Sequence, residues 1–132
     1  MIVVDTSVLV DFLRGRKTGP ARRFAQVEDR SIPYAIPGVC CQELLQGARD
    51  EKEWAKLVEH LETQTVLLPE DPWSTHVDAA RIFFDCRRKD ITIRGPLDCF
   101  IAQLVLETDG ELLHDDDDFE KISRVRPLRT LR

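Results

Sequence analysis

Acidic side chains are the residues of this chain best suited to chemistry. Asp5 closes the apolar start Ile2-Val3-Val4, Glu43 and Asp98 stand early in two helical patterns, and Asp115-Asp116-Asp117-Asp118 follows a second apolar stretch. Each position also has an ordinary explanation. Asp5 suits the cap of a helix starting at Thr6, Asp98 a helix dipole, Glu43 a solvated helix face, and the Asp run a solvated turn. Convergence would change that reading, because carboxylates gathered at one place repel one another and resist ionising unless a cation sits between them. An all-oxygen donor set suits magnesium or manganese, hard ions that retain some of their waters. The chemistry expected of such a set is hydrolysis of a phosphodiester by a metal-activated water, with the leaving oxygen stabilised by the same ions.

Whether these side chains meet depends on the elements that carry them. Ile2 to Val4 is short, apolar and β-branched, as a central strand covered on both faces should be. Thr6 to Arg14 changes to a helical period, with Val8, Leu9, Phe12 and Leu13 on one stripe and Gly15 as its stop. A helix is expected around Ala21 to Asp29, a strand over Pro33 to Ile36, and a helix opened by Pro37 and running to about Ala48. Trp54, Leu57, Val58 and Leu61 predict a further helix, and Thr65 to Leu68 a third strand. Asp71-Pro72 reads as the cap and first residue of a helix reaching about Arg88, with Trp73, Val77, Ala80 and Phe84 as its buried stripe. Pro96 begins a helix carrying Leu97, Ile101, Leu104 and Val105, with Gly110 as its stop. Glu111 to His114 is expected as a fourth strand, Asp115 to Lys121 as a loop with a helical turn, and Leu128 to Leu131 as an edge strand.

Strands separated by helices imply right-handed parallel crossovers and an α/β fold, a three-layer α/β/α sandwich with a mostly parallel central sheet. At 132 residues and 42% apolar the chain fits a single domain, 1–132, with a core that needs no disulfides. In such sheets ligands bind beyond the carboxyl ends of the strands, where strand order reverses. That puts Asp5 and the 115–118 run at one rim, which Glu43 and Asp98 can reach. Thr6 is expected to hold a carboxylate or a metal-bound water, and Ser7 to act as a simple cap. His60, His76 and His114 read as structural or surface residues, and Arg124, Arg126, Arg129 and Arg132 as an exposed basic edge.

A net charge of −5 argues against binding nucleic acid through bulk positive charge. Carboxylates that hold divalent ions escape this objection, since the ions reverse the field a phosphate meets. Cys40, Cys41, Cys86 and Cys99 form no CxxC pair and read as small hydrophobes in a reducing compartment. No stretch is long and apolar enough to cross a bilayer, so no membrane association and a cytoplasmic location are expected.

The order and content of the segments resemble the PIN domain, and within it the VapC-type ribonuclease toxins of type II VapBC toxin–antitoxin modules. Four stretches carry the likeness: Val3-Val4-Asp5-Thr6-Ser7-Val8-Leu9-Val10-Asp11, Cys41-Gln42-Glu43-Leu44-Leu45-Gln46-Gly47-Ala48, Pro96-Leu97-Asp98-Cys99-Phe100-Ile101-Ala102 and Leu112-Leu113-His114-Asp115-Asp116-Asp117-Asp118-Phe119. The resemblance implies that Asp5, Glu43 and Asp98 are the core acidic ligands of Mg2+ or Mn2+, that Asp116 is the fourth acid, and that Thr6 is the hydroxyl residue after the first. His114 and Asp115 depart from the family's usual Thr or Ser followed by a basic or polar residue, which leaves Asp115 and Asp118 as alternatives for the fourth place. It further implies an endoribonuclease that arrests translation, a homodimer, and silencing by a cognate VapB-type antitoxin whose Arg can enter the acidic site. A guanidinium matches carboxylates and can replace the metal's charge. Two other readings compete: a catalytically silent PIN scaffold that binds RNA or protein, and a Mg-dependent phosphatase-like enzyme or receiver. The second lacks an Asp two positions after Asp5, where Ser7 stands, and a receiver's Lys near the last strand.

Overall fold

The computed structural model describes residues 1–132. Its elements run β1 (Ile2–Val4), α1 (Thr6–Leu13), α2 (Gly19–Asp29), β2 (Tyr34–Pro37), α3 (Gly38–Gln46), α4 (Glu51–Glu62), β3 (Val66–Leu67), α5 (Pro72–Arg88), α6 (Pro96–Thr108), β4 (Glu111–Leu113), α7 (Asp117–Ile122) and β5 (Arg129–Leu131). The sheet has the order β3-β2-β1-β4-β5 and every pairing is parallel. Right-handed crossovers lay α1 to α4 on one face and α5 to α7 on the other, completing the three layers expected from the sequence.

β1 is central because its side chains must be dry on both faces: Val3 and Val4 are fully buried, as are Leu112 and Leu113 of the neighbouring β4. Ile2 aligns with Glu111 and Val4 with Leu113, so the two strands end level. The ladder continues one residue further, through Asp5 N–H to Leu113 O at 3.0 Å and His114 N–H to Leu131 O at 3.1 Å. β1 connects leftward to β2 while β4 lies on its other side. The gap between the ends of β1 and β4 is therefore the place where strand order reverses. At the opposite end, α6 stops at Asp109, which takes the left-handed conformation at φ 54°. Gly110 then passes so close to the first residue that a Cβ there would lie 2.7 Å from Met1 O.

Three local expectations give way to the structure. Pro37 ends β2 and caps α3 instead of opening it, since its φ of −56° and ψ of 140° are extended and the helix starts at Gly38. α5 buries Thr75, Ala79, Ile82 and Cys86 and turns the predicted stripe outward, with Trp73 77% exposed and Val77 and Phe84 also open. Both stripes satisfy the helical period. The small side chains of the buried one let α5 approach α6, to which Thr75 is tied by a hydroxyl bond to Glu107 at 2.8 Å. Of the four C-terminal arginines, Arg124, Arg129 and Arg132 are exposed as expected, but most of their charge is paired: Arg126 with Asp85, Arg129 with Asp109, and Arg132 with Asp115 and Asp117. No helix is long and apolar enough to cross a membrane.

Candidate metal centre

Asp5 leaves β1 in an extended conformation and caps α1. Its Oδ2 accepts the Ser7 backbone N–H at 3.0 Å and the Ser7 hydroxyl at 2.6 Å, while Cys40 Sγ lies 3.7 Å from Oδ1. Burial, reinforced by the Asp5 charge, pushes the Cys40 thiol far up, so Cys40 is a neutral floor under the carboxylate. The Ser7 oxygen in turn accepts the backbone N–H of Asp115 at 3.0 Å. Ser7 therefore joins the end of β1 to the loop after β4, a larger role than the simple cap expected of it.

Glu43 lies three residues after Cys40 on α3, so the two share a face of that helix. Its Oε1 accepts the Thr6 hydroxyl at 2.9 Å, which makes Thr6 the carboxylate holder anticipated from its type. Asp98 sits in the first turn of α6, behind Gly95, which supplies no side-chain cap, and Pro96, which lacks a donor. Burial raises the Asp98 pKa to about 7, with the charges of Asp116, Asp5 and Asp118 adding to the effect and Arg94 opposing it. No hydrogen bond contributes to that shift.

The four-Asp run divides by parity. Asp115 and Asp117 face Arg132, whose Nε and Nη1 lie 3.2 and 2.7 Å from their carboxylates. Asp116 caps α7, its Oδ1 accepting the Asp118 N–H at 3.0 Å. Asp118 is buried and committed: the Arg94 N–H and Nε reach its Oδ2 at 3.1 and 3.2 Å, and Lys121 Nζ stands 3.4 Å from Oδ1. Burial opposes the Asp118 charge, yet these donors hold its carboxyl below the usual range. Arg94 also gives Nη2 to Asp116 Oδ1 at 2.7 Å, so one guanidinium spans both inward carboxylates.

Oxygens of Asp98, Asp116 and Asp118 come within 4.8 Å of one another. Asp5 stands just outside this group, near enough for its charge to act on Asp98, and Glu43 is further round the rim beyond Thr6. The donor set fits a hard divalent cation. It is all oxygen, Glu43 and Asp116 are each fixed through one oxygen with the other free, and Asp98 has both free. Asp118 is the poorest candidate because its oxygens already face Arg94 and Lys121. Arg94 was missed at the sequence level, and Ser7 and His114, expected as a simple cap and as a structural or surface residue, do more, His114 accepting the Asp116 N–H. A hydroxyl two residues after Asp5 was a legible signal for Ser7. Nothing in local spacing marks Arg94, which reaches Asp118 across 24 positions.

Comparison with known proteins places the chain in a family. The PIN domain model matches residues 2–125. A protein of Mycobacterium bovis named VapC ribonuclease Mb1587 is 32% identical over 132 residues, covering 98% of this chain and 96% of the relative. Ribonuclease VapC11 of Mycobacterium tuberculosis matches with the same identity and the same coverage of both chains. Among solved structures, VapBC-1 from nontypeable Haemophilus influenzae superposes with a TM-score of 0.74 at 19% identity, over 99% of this chain and 97% of the other. FitAcB from Neisseria gonorrhoeae gives 0.71 at 16% identity, over 100% and 97%. At these identities the two structures speak for the fold.

Proposed function

We propose that this chain, which belongs to the PIN domain family, is the ribonuclease toxin of a VapBC-type toxin–antitoxin module, working in the cytoplasm with Mg2+ or Mn2+ as its cofactor. The observation that carries the metal reading is Asp98, half-buried without a hydrogen bond and raised to about 7 between the charges of Asp116 and Asp5. A cation placed among these carboxylates would offset the burial and the like charges that raise Asp98, so the site favours an ion.

Asp5, Asp98 and Asp116 would hold the ion, with Glu43 completing the shell through its free oxygen and Asp118 serving as the anchor for Arg94. When bound, the cation supplies Lewis acidity: it activates water and stabilises the charge that develops on the scissile phosphate. The chain's own residues do the rest. Thr6 and Ser7 fix Glu43 and Asp5, and Arg94 fixes Asp116 while offering positive charge at the rim to a phosphate. RNA is the substrate that the names of the relatives support.

Two apolar surfaces suit the partners of such a toxin. A groove of about 90 Å³ lies between α1, α2 and α4, bounded by Leu9, Phe12, Leu13, Phe24, Leu57 and Leu61, and would receive an apolar segment of a VapB-type antitoxin. The outward stripe of Trp73, Val77 and Phe84, with Leu68 64% exposed at the sheet edge, would be covered by a second copy of the chain. The decisive experiment incubates the purified, antitoxin-free protein with structured RNA and Mn2+. Cleavage is expected, and Asp5→Asn and Asp98→Asn should abolish it together with growth inhibition on expression. A folded Asp98→Asn protein that still cuts would refute the assignment.

A further inference from the structure

His114 is fully buried at the end of β4, with its ring 5.1 Å from that of Phe119. Its Nδ1 accepts the backbone N–H of Asp116 at 3.1 Å, and its Nε2 lies 2.8 Å from Glu120 Oε1. A backbone N–H can only donate, so Nδ1 must carry the lone pair and the ring proton must sit on Nε2, where it is donated to Glu120. Glu120 Oε1 also accepts the Thr130 hydroxyl at 3.0 Å, which fixes that carboxylate from β5. The result is a continuous relay from β5 through Glu120 and His114 to the amide of Asp116.

We propose that His114 is a positioning residue for Asp116. Its tautomer, set by Glu120, holds the Asp116 backbone so that the carboxylate enters the acidic centre. The inference rests on the metal reading above for its consequence, but the hold itself is a property of the protein alone. The loop after β4 is pinned at two successive amides, Asp115 to Ser7 Oγ and Asp116 to His114 Nδ1. Two fixed amides define the direction of the Asp116 side chain more closely than one. Asp116 must also cap α7 and meet Arg94, so a rotated peptide would disturb both contacts. A Thr or Ser at position 114 would also offer the amide an acceptor, whereas the longer imidazole extends the support to α7 and β5.

The test uses the two amides that mimic the two ring nitrogens. His114→Asn can place an oxygen where Nδ1 accepts, and His114→Gln can place one only near Nε2. Two readouts are made on each purified variant without antitoxin: hydrogen exchange of the Asp115 and Asp116 amides in metal-free protein, and calorimetric titration with Mn2+ alone. His114→Asn should keep Asp116 protected and bind Mn2+ within about twofold of the native protein. His114→Gln should expose the Asp116 amide and bind Mn2+ roughly 10-fold to 100-fold more weakly, as loss of an outer-sphere partner does. Glu120→Ala guards against misfolding, because this side chain is 46% exposed and the ring stays in place; it should speed Asp116 exchange and leave Asp115 protected, with a cooperative unfolding transition whose Tm is lowered by loss of the ring's partner. Equal behaviour of the Asn and Gln variants in both readouts, or an unchanged Asp116 amide in Glu120→Ala, overturns the proposal. Native protein that fails to bind Mn2+ overturns the metal reading instead, while the exchange data still decide whether His114 holds Asp116.

Discussion

Asp98→Asn should make the metal-free protein more stable while destroying its activity. Burial and the neighbouring charges of Asp116, Asp5 and Asp118 move the Asp98 carboxyl from 3.8 to about 7. The folded protein thus binds this proton more tightly than the unfolded chain does. Between about pH 4 and pH 7 the native state holds the extra proton, so native stability falls as pH rises through that window and levels off above it. A shift of roughly three units corresponds to ~4 kcal/mol at 1.36 kcal/mol per unit. Because part of the carboxyl remains in contact with solvent, screening reduces this to ~2 kcal/mol. Asparagine keeps the shape and removes the charge, so its advantage should be near zero at pH 4 and complete above pH 7. In a chain of 132 residues that amounts to a Tm roughly 6–8 °C above native at pH 8 in EDTA. Thermal scans from pH 4 to 9 with EDTA, repeated with Mn2+, measure it directly. Excess Mn2+ should raise the native Tm and leave the variant unmoved. A variant less stable than native at pH 8 without metal, or a difference that does not change with pH, would refute the electrostatic account of this site.

Mn2+ binding by the native protein should tighten about tenfold per pH unit up to pH 7 and then level, since the ion displaces one proton from Asp98; calorimetry in buffers of different ionisation enthalpy counts that proton. Arg94→Gln removes the charge that opposes the Asp98 shift, so the pH midpoint for Mn2+ binding should move above 7 and the Tm should fall. Ser7→Ala breaks the link from Asp5 to the Asp115 amide and should cost about 2 kcal/mol in urea unfolding, the worth of a hydrogen bond to a charged group, together with most of the cleavage rate. If a second copy covers the outward stripe of α5 as proposed, native protein should sediment as a dimer in analytical ultracentrifugation, and Trp73→Glu with Val77→Lys should sediment as a folded monomer.

Much of the frame was legible because the physics is local. Three β-branched or apolar residues at the start could only be a dry strand, Asp71-Pro72 does cap α5, and the parallel α/β order follows from alternation alone. The direction of α5 was not legible, because two stripes of that helix both keep the 3.6 period and the choice is made by what packs on α6. The same limit applies to the site. Type and sequence order brought forward Asp5, Glu43, Asp98 and the four-Asp run, the family resemblance alone pointed to Asp116 within that run, and a hydroxyl after Asp5 suggested Thr6. The parity of the Asp run, with Asp116 and Asp118 inward and Asp115 and Asp117 on Arg132, depends on where α7 begins. Arg94 acts through contacts made only after the loop before α6 meets the start of α7, and the contacts of His114, though only two and six positions away, depend on how the chain turns from β4 into α7.

Those contacts explain why the acidic centre can exist before any ion arrives. Asp5, Glu43, Asp98, Asp116 and Asp118 face only Arg94 and Lys121 as local cations. Arg94 and Lys121 are concentrated on Asp118 and Asp116, the two carboxylates joined by the cap of α7, so the repulsion left over falls on Asp98. Asp98 relieves it by keeping its proton, at the N-terminus of a helix that would otherwise favour its charge. The divalent cation proposed above would meet a site already oriented by Thr6, Ser7, Arg94 and His114, where below about pH 7 Asp98 would give up its proton to join the other carboxylates. Below about pH 7 binding of the proposed ion would therefore be coupled to loss of the Asp98 proton, whereas above it the carboxylate is already ionised. A guanidinium supplied from outside could occupy the centre in the same way, which gives an antitoxin's arginine a physical reason to compete with the ion for Asp98 rather than for the already paired Asp118.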